Sequence, residues 1–597
     1  MTVAVRDERR SQSVSLREIF GNPAWLLVPA ALFLGFIYLL PLMDLTRISV
    51  SGPTPWVYFD RVFSVPLYWD SLVRTMGIAL SVAILCAILG YPTALLIHRT
   101  RGWVQVVVAV SVILPYFIAI LIRTYSWMVL LGRNGPVNKL AVWLGIYDQP
   151  MQLLFNRGAV LLGMTAVLLP IMVLTIYSSV ARLDPSLTRA AAASGAGPLA
   201  VFWRVLLPLT LPGVGAGFLL VFVMGIGFFI TPTLLGGPGD QMFAMHITQQ
   251  SNFVSSEGFL QALGVVLLVI TMVFVGIAGR FLGFEFLWGG GKLTDKTSTK
   301  KRGKDYGGRA FSQGAFGKLL ADTIGWPIMR ALSAAPRWLG SATVISAGTL
   351  VIAILVAPII VVMIISFSKA SFLTFPPPGY SLRWYEQFFT DSAWVKAFFD
   401  SLTIAVISAL ISVFLGASAA MGIVRSSIRG KTIIMLLLVS PVIVPPVVLG
   451  LSLYSLYLRV GFDGTIGGLA AAHAIGGLPI VVVIICAALQ SVDRNLEQAA
   501  AVHGASPLAV FRTVTLPAIA PGLAAATFFA FLHSFDELVL SLFLTSPRLV
   551  TLPLKLWAGV NYELSPVLAV VSTLEVLLVV VGIILARPVL TRSRKTA

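Results

Sequence analysis

Apolar runs long enough to cross a membrane recur along most of the chain. A bilayer core about 30 Å thick needs roughly 20 apolar residues in helical form. Runs of that size lie near 25–45, 72–97, 104–131, 158–180, 214–235 and 259–283, and again near 342–367, 397–424, 432–458, 466–490, 521–544 and 566–586. The pattern predicts an all-α integral membrane protein with about twelve transmembrane helices. One long polar stretch interrupts it, "GGGKLTDKTSTKKRGKDYGG" at 289–308, a composition that suits a flexible linker. Five regions follow: an N-terminal segment 1–24, a six-span half 25–287, a basic linker 288–340, a second six-span half 341–588 and a tail 589–597. After the linker, "FGKLLADTIGWPIMRALSAAPRWLG" suits either an interfacial helix or a soluble tether.

Composition agrees with this division. Hydrophobic residues make up 57% of 597 and charged residues 11%, with a mean hydropathy of +0.93, which excludes an ordinary soluble domain. The formal charge of +18 follows mostly from topology. With the N-terminus inside, the predicted inner loops carry Arg99 and Arg101; Arg182, Arg189 and Arg204; the lysines and arginines of the linker; Arg425, Arg429 and Lys431; and Arg592, Arg594 and Lys595. The predicted outer loop 236–258 has neither Lys nor Arg. Both termini are therefore expected in the cytoplasm. The arginine-rich start "MTVAVRDERRSQSVSLREIF" runs into an apolar stretch with no small-residue cleavage pattern, so it reads as an uncleaved anchor. Scattered over inner loops without interleaved aromatics, the basic residues do not suggest a nucleic-acid partner. Cys86 and Cys486 each lie in an apolar run and suggest neither a disulfide nor a metal site.

A repeat relates the two halves. Residues 184–213 and 493–522 align without a gap at an offset of 309, with 17 of 30 positions identical. Both fall between the fourth and fifth spans of their half, on the predicted inner side. Each copy reads as a helix capped by Asp184 or Asp493, an alanine run, and a stop at Gly195 or Gly504. A second short helix is expected to begin at Pro198 or Pro507 and to end at Leu207-Pro208 or Leu516-Pro517. Phe202 and Phe511 are expected to offer an apolar knob beside a surface of small side chains, open to close approach by another protein.

These copies, "RAAAASGAGPLAVFWRVLLP" and "QAAAVHGASPLAVFRTVTLP", resemble the cytoplasmic loop of bacterial ABC importer permeases, with its pattern E-A-A-x-x-x-G, nine residues, then I-x-L-P. Arg189 and Gln498 stand where the pattern has Glu, with Glu497 just before Gln498. The resemblance implies that Arg189, Ala190, Ala191, Gly195, Pro198, Phe202 and Pro208, and Gln498, Ala499, Ala500, Gly504, Pro507, Phe511 and Pro517, dock ATPase subunits. It implies two such subunits, a periplasmic solute-binding protein, and two homologous halves packed as a pseudo-twofold pair in the inner membrane. "IRTYSWMVLLGRNGPVNKL", "LLPIMVLTIYSSVARLDPSL" and "GFFITPTLLGGPG" in the first half, and "FPPPGYSLRWYEQFF", "SPVIVPPVVLG" and "FLHSFDELVLSLFLT" in the second, resemble the spermidine/putrescine permease pair, here fused. That implies a polyamine solute; iron(III) and phosphonate systems use similar permeases and remain alternatives.

Charged residues inside spans are costly and point to function. Asp536, Glu537 and Glu575 would favour passage of a polycation if they line the path, or would satisfy neighbouring helices if they do not. The matching first-half positions Gly227 and Phe228 are uncharged. Arg123 is expected to snorkel at the outer end of the third span, His473 to be a satisfied core histidine, and Tyr125, Trp127 and Trp103 to anchor at the interface. No phosphate-binding G-x-x-x-x-G-K-[ST] occurs, and no catalytic or metal-ligand set is recognisable. The chain is expected to be a transport subunit, not an enzyme, with ATP and Mg held by its partners. A secondary transporter would share the twelve spans and duplicated halves, yet would have no need for matched docking loops.

Overall fold

The computed structural model describes residues 23–116, 118–252, 256–282, 337–372, 374–563 and 565–592; nearly all of the predicted N-terminal segment and of the linker, and most of the tail, lie outside them. The described residues are overwhelmingly helical. In the first half, α1 (Pro23–Ser49), α2 (Pro66–Arg99), α3 (Gly102–Tyr116), α4 (Ile120–Leu131), α5 (Arg157–Ala181), α6 (Pro185–Ala193), α7 (Pro198–Ile226), α8 (Ile230–Leu235) and α9 (Glu257–Leu282) follow in order. The second half comprises α10 (Arg337–Ile365), α11 (Ser392–Arg425), α12 (Lys431–Val439), α13 (Pro446–Val460), α14 (Ile466–Ser491), α15 (Arg494–Val502), α16 (Pro507–Phe535), α17 (Val539–Leu544) and α18 (Val567–Arg592).

Among the described residues nine helices are long and apolar enough to cross a membrane, two bent pairs add one span each, and α18 contributes a shorter apolar stretch, Val567–Gly582. All twelve predicted segments are thus helical, with corrections. The run 104–131 is not one rod: α3 and α4 meet across a break with a 100° bend, and 432–458 is likewise divided into α12 and α13 at 90°. Prolines are responsible at the second break, where Pro441, Pro445 and Pro446 remove N–H donors and force the preceding residues out of helical geometry. Runs 214–235 and 521–544 each end early, at Ile226 and Phe535, and resume as α8 and α17.

The halves match closely. Helices α5 to α8 coincide with α14 to α17 at the offset of 309, at every bound but the end of α14, which runs one residue longer, whereas α2 and α4 begin 326 residues before α11 and α13. The step reflects 17 additional first-half residues between α4 and α5, including the helix Pro136–Trp143. Each half is built on a three-helix core, α2, α5 and α7 or α11, α14 and α16. Small residues permit the close packing: a Cβ on Gly217 would overlap Thr175 and Met172 of α5, and one on Gly416 would overlap Val481 of α14. The entry helices cross over. α10 packs on α2, α3 and α4 of the first half, and the start of α1 packs on α11 of the second, with Leu27 against Gly422 and Leu96 against Gly348.

Candidate functional site

Two places unite the residues singled out above: the repeated loops, and the breaks where the halves meet. In the loops, Asp184 accepts a hydrogen bond from the Ser186 N–H at 2.8 Å and Asp493 one from the Asn495 N–H at 3.0 Å, capping α6 and α15. The bond from Ser186 holds the Asp184 carboxyl below the usual aspartate range. Both helices close identically. Gly195 N–H donates to Ala192 at 3.0 Å and Ala196 N–H to Ala191 at 3.1 Å; Gly504 donates to Ala501 at 3.0 Å and Ala505 to Ala500 at 3.1 Å. This closure needs a left-handed residue after the helix, and Gly195 and Gly504 supply it at φ +86° and +84°. Arg189, Ala190, Gln498 and Ala499 are exposed, with Ala191 and Ala500 half-buried.

Beyond the glycines the expected stop does not occur. Pro198 and Pro507 start helices, as expected, but these run through Leu207-Pro208 and Leu516-Pro517 into the fifth spans. A wide turn at 202–206 and at 511–515 makes this possible, with Leu207 N–H bonded back to Phe202 and Leu516 N–H to Phe511. The widened register places Pro208 and Pro517 at a renewed first turn, where a missing N–H is tolerated. Phe202 and Phe511 are half-buried, not exposed knobs. Phe202 meets Tyr91 of α2 edge-on at 5.2 Å, and Tyr91 shares a 2.6 Å hydrogen bond with Thr210. Glu497, noted in the sequence only for its place before Gln498, has a structural role: its carboxylate receives Arg425 at 2.9 Å and the Thr515 hydroxyl at 2.8 Å, tying α15 to α11 and to the wide turn. An acid facing a basic helix end in adjacent inner loops was the available signal.

At the first-half break, Ala119 and Ile120 begin α4 and offer N–H groups without helical partners. Carboxylates of the second half approach them: Glu575 of α18 lies by Ala119 and Asp536, at the end of α16, by Ile120. Arg123 lies within electrostatic reach of both acids, and Tyr116 within reach of Arg123 and Asp536. Arg123 does not snorkel; it is 6% exposed and donates to the Val167 carbonyl at 3.1 Å. Tyr125 and Trp127 face the core, not the interface, because α4 is enclosed by α5, α8 and α10. Trp103 is exposed. Glu537 accepts from Val539 and Leu540 N–H groups at 3.0 and 3.1 Å, so it caps α17. His473 is satisfied by Ser534, whose hydroxyl lies at 2.9 Å.

The second-half break is built differently. Pro445 and Pro446 occupy the cap and first position of α13, where Ala119 and Ile120 occupy those of α4, and proline has no N–H to offer. Gly227 stands where the other pole has Asp536; a Cβ there would come within 3.0 Å of Pro445. Val266 and Leu449 stand in place of Glu575 and Arg123. One pole of the pseudo-twofold interface is therefore ionic, and the other is apolar and close-packed.

Duplicated six-span halves with identically capped loops define a membrane permease. The family model for "Binding-protein-dependent transport system inner membrane component" matches residues 54–283 and 412–593. The chain belongs to that family, as a multi-pass transport subunit of the ABC class carrying two copies of the permease domain. It is 34% identical over 205 residues to the spermidine/putrescine transport system permease protein PotB of Escherichia coli K12, covering 34% of this chain and 74% of the relative. Identity is also 34% over 237 residues to the putrescine transport system permease protein PotI of the same organism, covering 38% and 83%. PotB of Haemophilus influenzae is 35% identical over 218 residues, 35% of this chain and 74% of the relative. A solved bacterial alginate ABC transporter in complex with an alginate-pentasaccharide-bound periplasmic protein aligns at 17% identity and a TM-score of 0.41, over 46% of this chain and 96% of that one.

Proposed function

We propose that this permease imports a polyamine of the spermidine or putrescine class, delivered by a periplasmic solute-binding protein and driven by two ABC ATPase subunits, one at each loop. In this reading the halves are 25–287 and 341–588, the docking loops 184–213 and 493–522 face the cytoplasm with both termini and the linker 288–340, and ATP and Mg belong to the partners. Closure of the ATPases pushes on α6 and α15, and the rigid wide turns pass that motion into α7 and α16, so that the path opens to one face at a time.

The observation that carries the solute assignment is the ionic pole, where two carboxylates, Asp536 and Glu575, face one guanidinium, Arg123. Carboxyl groups outnumber the guanidinium here, and their oxygens suit a desolvated ammonium group better than an anionic solute. Polyamine transport by the relatives PotB and PotI supports the same class. Asp536→Asn and Glu575→Gln keep shape and an acceptor oxygen beside Ile120 and Ala119 while removing the ionisable carboxyl. With ATPase and binding protein in proteoliposomes, each is expected to lower uptake at limiting spermidine by about tenfold with ATPase docking unchanged. Unaltered uptake in both variants would remove these acids from the path.

A further inference from the structure

The two docking loops share a backbone but differ in how they are held to the membrane helices. In the second half, Glu497 bridges Arg425 and Thr515, and Arg494 donates to the Val424 carbonyl at 2.6 Å. The first half has no counterpart for any of these links: Thr188 stands for Glu497, Leu206 for Thr515 and Pro185 for Arg494, while the cation survives as Arg99 at the end of α2. Where the second loop is tied down, the first is separated from α2 by a cleft of about 300 Å³, lined by Leu95, Arg99, Thr188, Ala192, Pro198 and Phe202 among others. Charge follows the same division. Residues 182–206 carry three arginines against the one carboxylate of Asp184, already engaged as a cap, whereas 491–515 carry two arginines against two carboxylates.

We propose that the first-loop cleft receives an acidic side chain of the ATPase subunit, which supplies to Arg99 in trans the carboxylate that Glu497 supplies to Arg425 in cis. The cleft suits such a side chain: its floor is apolar, its rim carries an exposed guanidinium, and a carboxylate entering between them completes a charge-assisted hydrogen bond away from bulk water. Docking at the first loop is then electrostatic and salt-sensitive, whereas at the second the matching guanidinium, Arg425, is already satisfied within the chain. The inference rests on the reading that both loops dock ATPase, so wild-type binding is its separate control.

The experiment measures affinity of the detergent-solubilised full chain for the ATPase subunit that supports its uptake, across a range of salt concentrations. Arg99→Glu is expected to weaken binding about fivefold at low salt and to flatten the salt dependence. Thr188→Glu is expected to do the same while raising the melting temperature, because the chain then satisfies Arg99 itself. A Lys substitution at one acidic surface residue of the ATPase is expected to restore binding to the Arg99→Glu chain only. Wild-type affinity and salt dependence in both variants would overturn the inference, as would failure of every acid-to-Lys substitution to rescue Arg99→Glu. Absence of binding by the wild-type chain would instead overturn the docking assignment.

Discussion

At Gly195 and Gly504 the two halves make the same hydrogen bonds between corresponding atoms, and the left-handed angles differ by only 2°. At the breaks they make opposite choices, with N–H groups and carboxylates around Ala119 and Ile120 and two prolines against a glycine around Pro445 and Pro446. A loop that meets an external partner must keep its shape in both copies. An interface between the halves needs only complementarity, and a proline facing a glycine is as complementary as an N–H facing a carboxylate. The duplicated chain has thus kept its backbone symmetry at the loops and lost it at the breaks where the two halves meet.

The largest expected effect lies in the conserved shape. Gly195→Val with Gly504→Val forces a β-branched side chain into left-handed backbone at about 1–2 kcal/mol per site, although a Cβ at either glycine meets no neighbour within 4 Å. ATP-dependent uptake is expected to be lost with membrane insertion intact, while the Asn pair, which tolerates this conformation, retains most of it; equal loss in both pairs would show that the angle is not what matters.

Next comes a transplant of the ionic pole. Val266→Glu, the counterpart of Glu575, puts a carboxylate at a pole whose prolines cannot donate to it and is expected to cost about 3 kcal/mol by thermal unfolding in detergent, with partial recovery on adding Pro445→Ala, which restores the N–H that corresponds to that of Ala119. A Val266→Glu chain as stable as wild type would mean that the two poles are interchangeable. A smaller effect belongs to the second loop: Glu497→Thr unties α15 from Arg425 and Thr515, and should cost about 1–2 kcal/mol and raise hydrogen exchange in α15, with α6 unaffected. The smallest belongs to Asp184. Its carboxyl is held below the ordinary range in the folded loop, so its capping contribution is present above that range and fades as pH falls through the depressed value. Hydrogen exchange in α6 should rise there, and Asp184→Ala should remove the dependence.

Much of this was legible beforehand. The twelve apolar segments, the repeat, the aspartate caps and the glycine stops are local, and local chemistry decides them. The proline stops at 208 and 517 were misread because a widened turn one step earlier cancels the damage, and nothing in a single proline announces that. Arg123 was misplaced because span length alone puts it near a membrane face, whereas the bend before α4 carries it into the core. Contacts between Glu575 and Ala119, or Asp536 and Ile120, join residues more than 400 positions apart; the uncharged Gly227 and Phe228 matching Asp536 and Glu537 already signalled an asymmetry, while the proline pair 445–446 against Ala119-Ile120 was not read.

The most direct test of the account is uptake of radiolabelled spermidine and putrescine by proteoliposomes holding this chain, its ATPase and its binding protein. Accumulation that requires all three proteins and ATP is the predicted result. Accumulation by the chain alone under an ion gradient would contradict it.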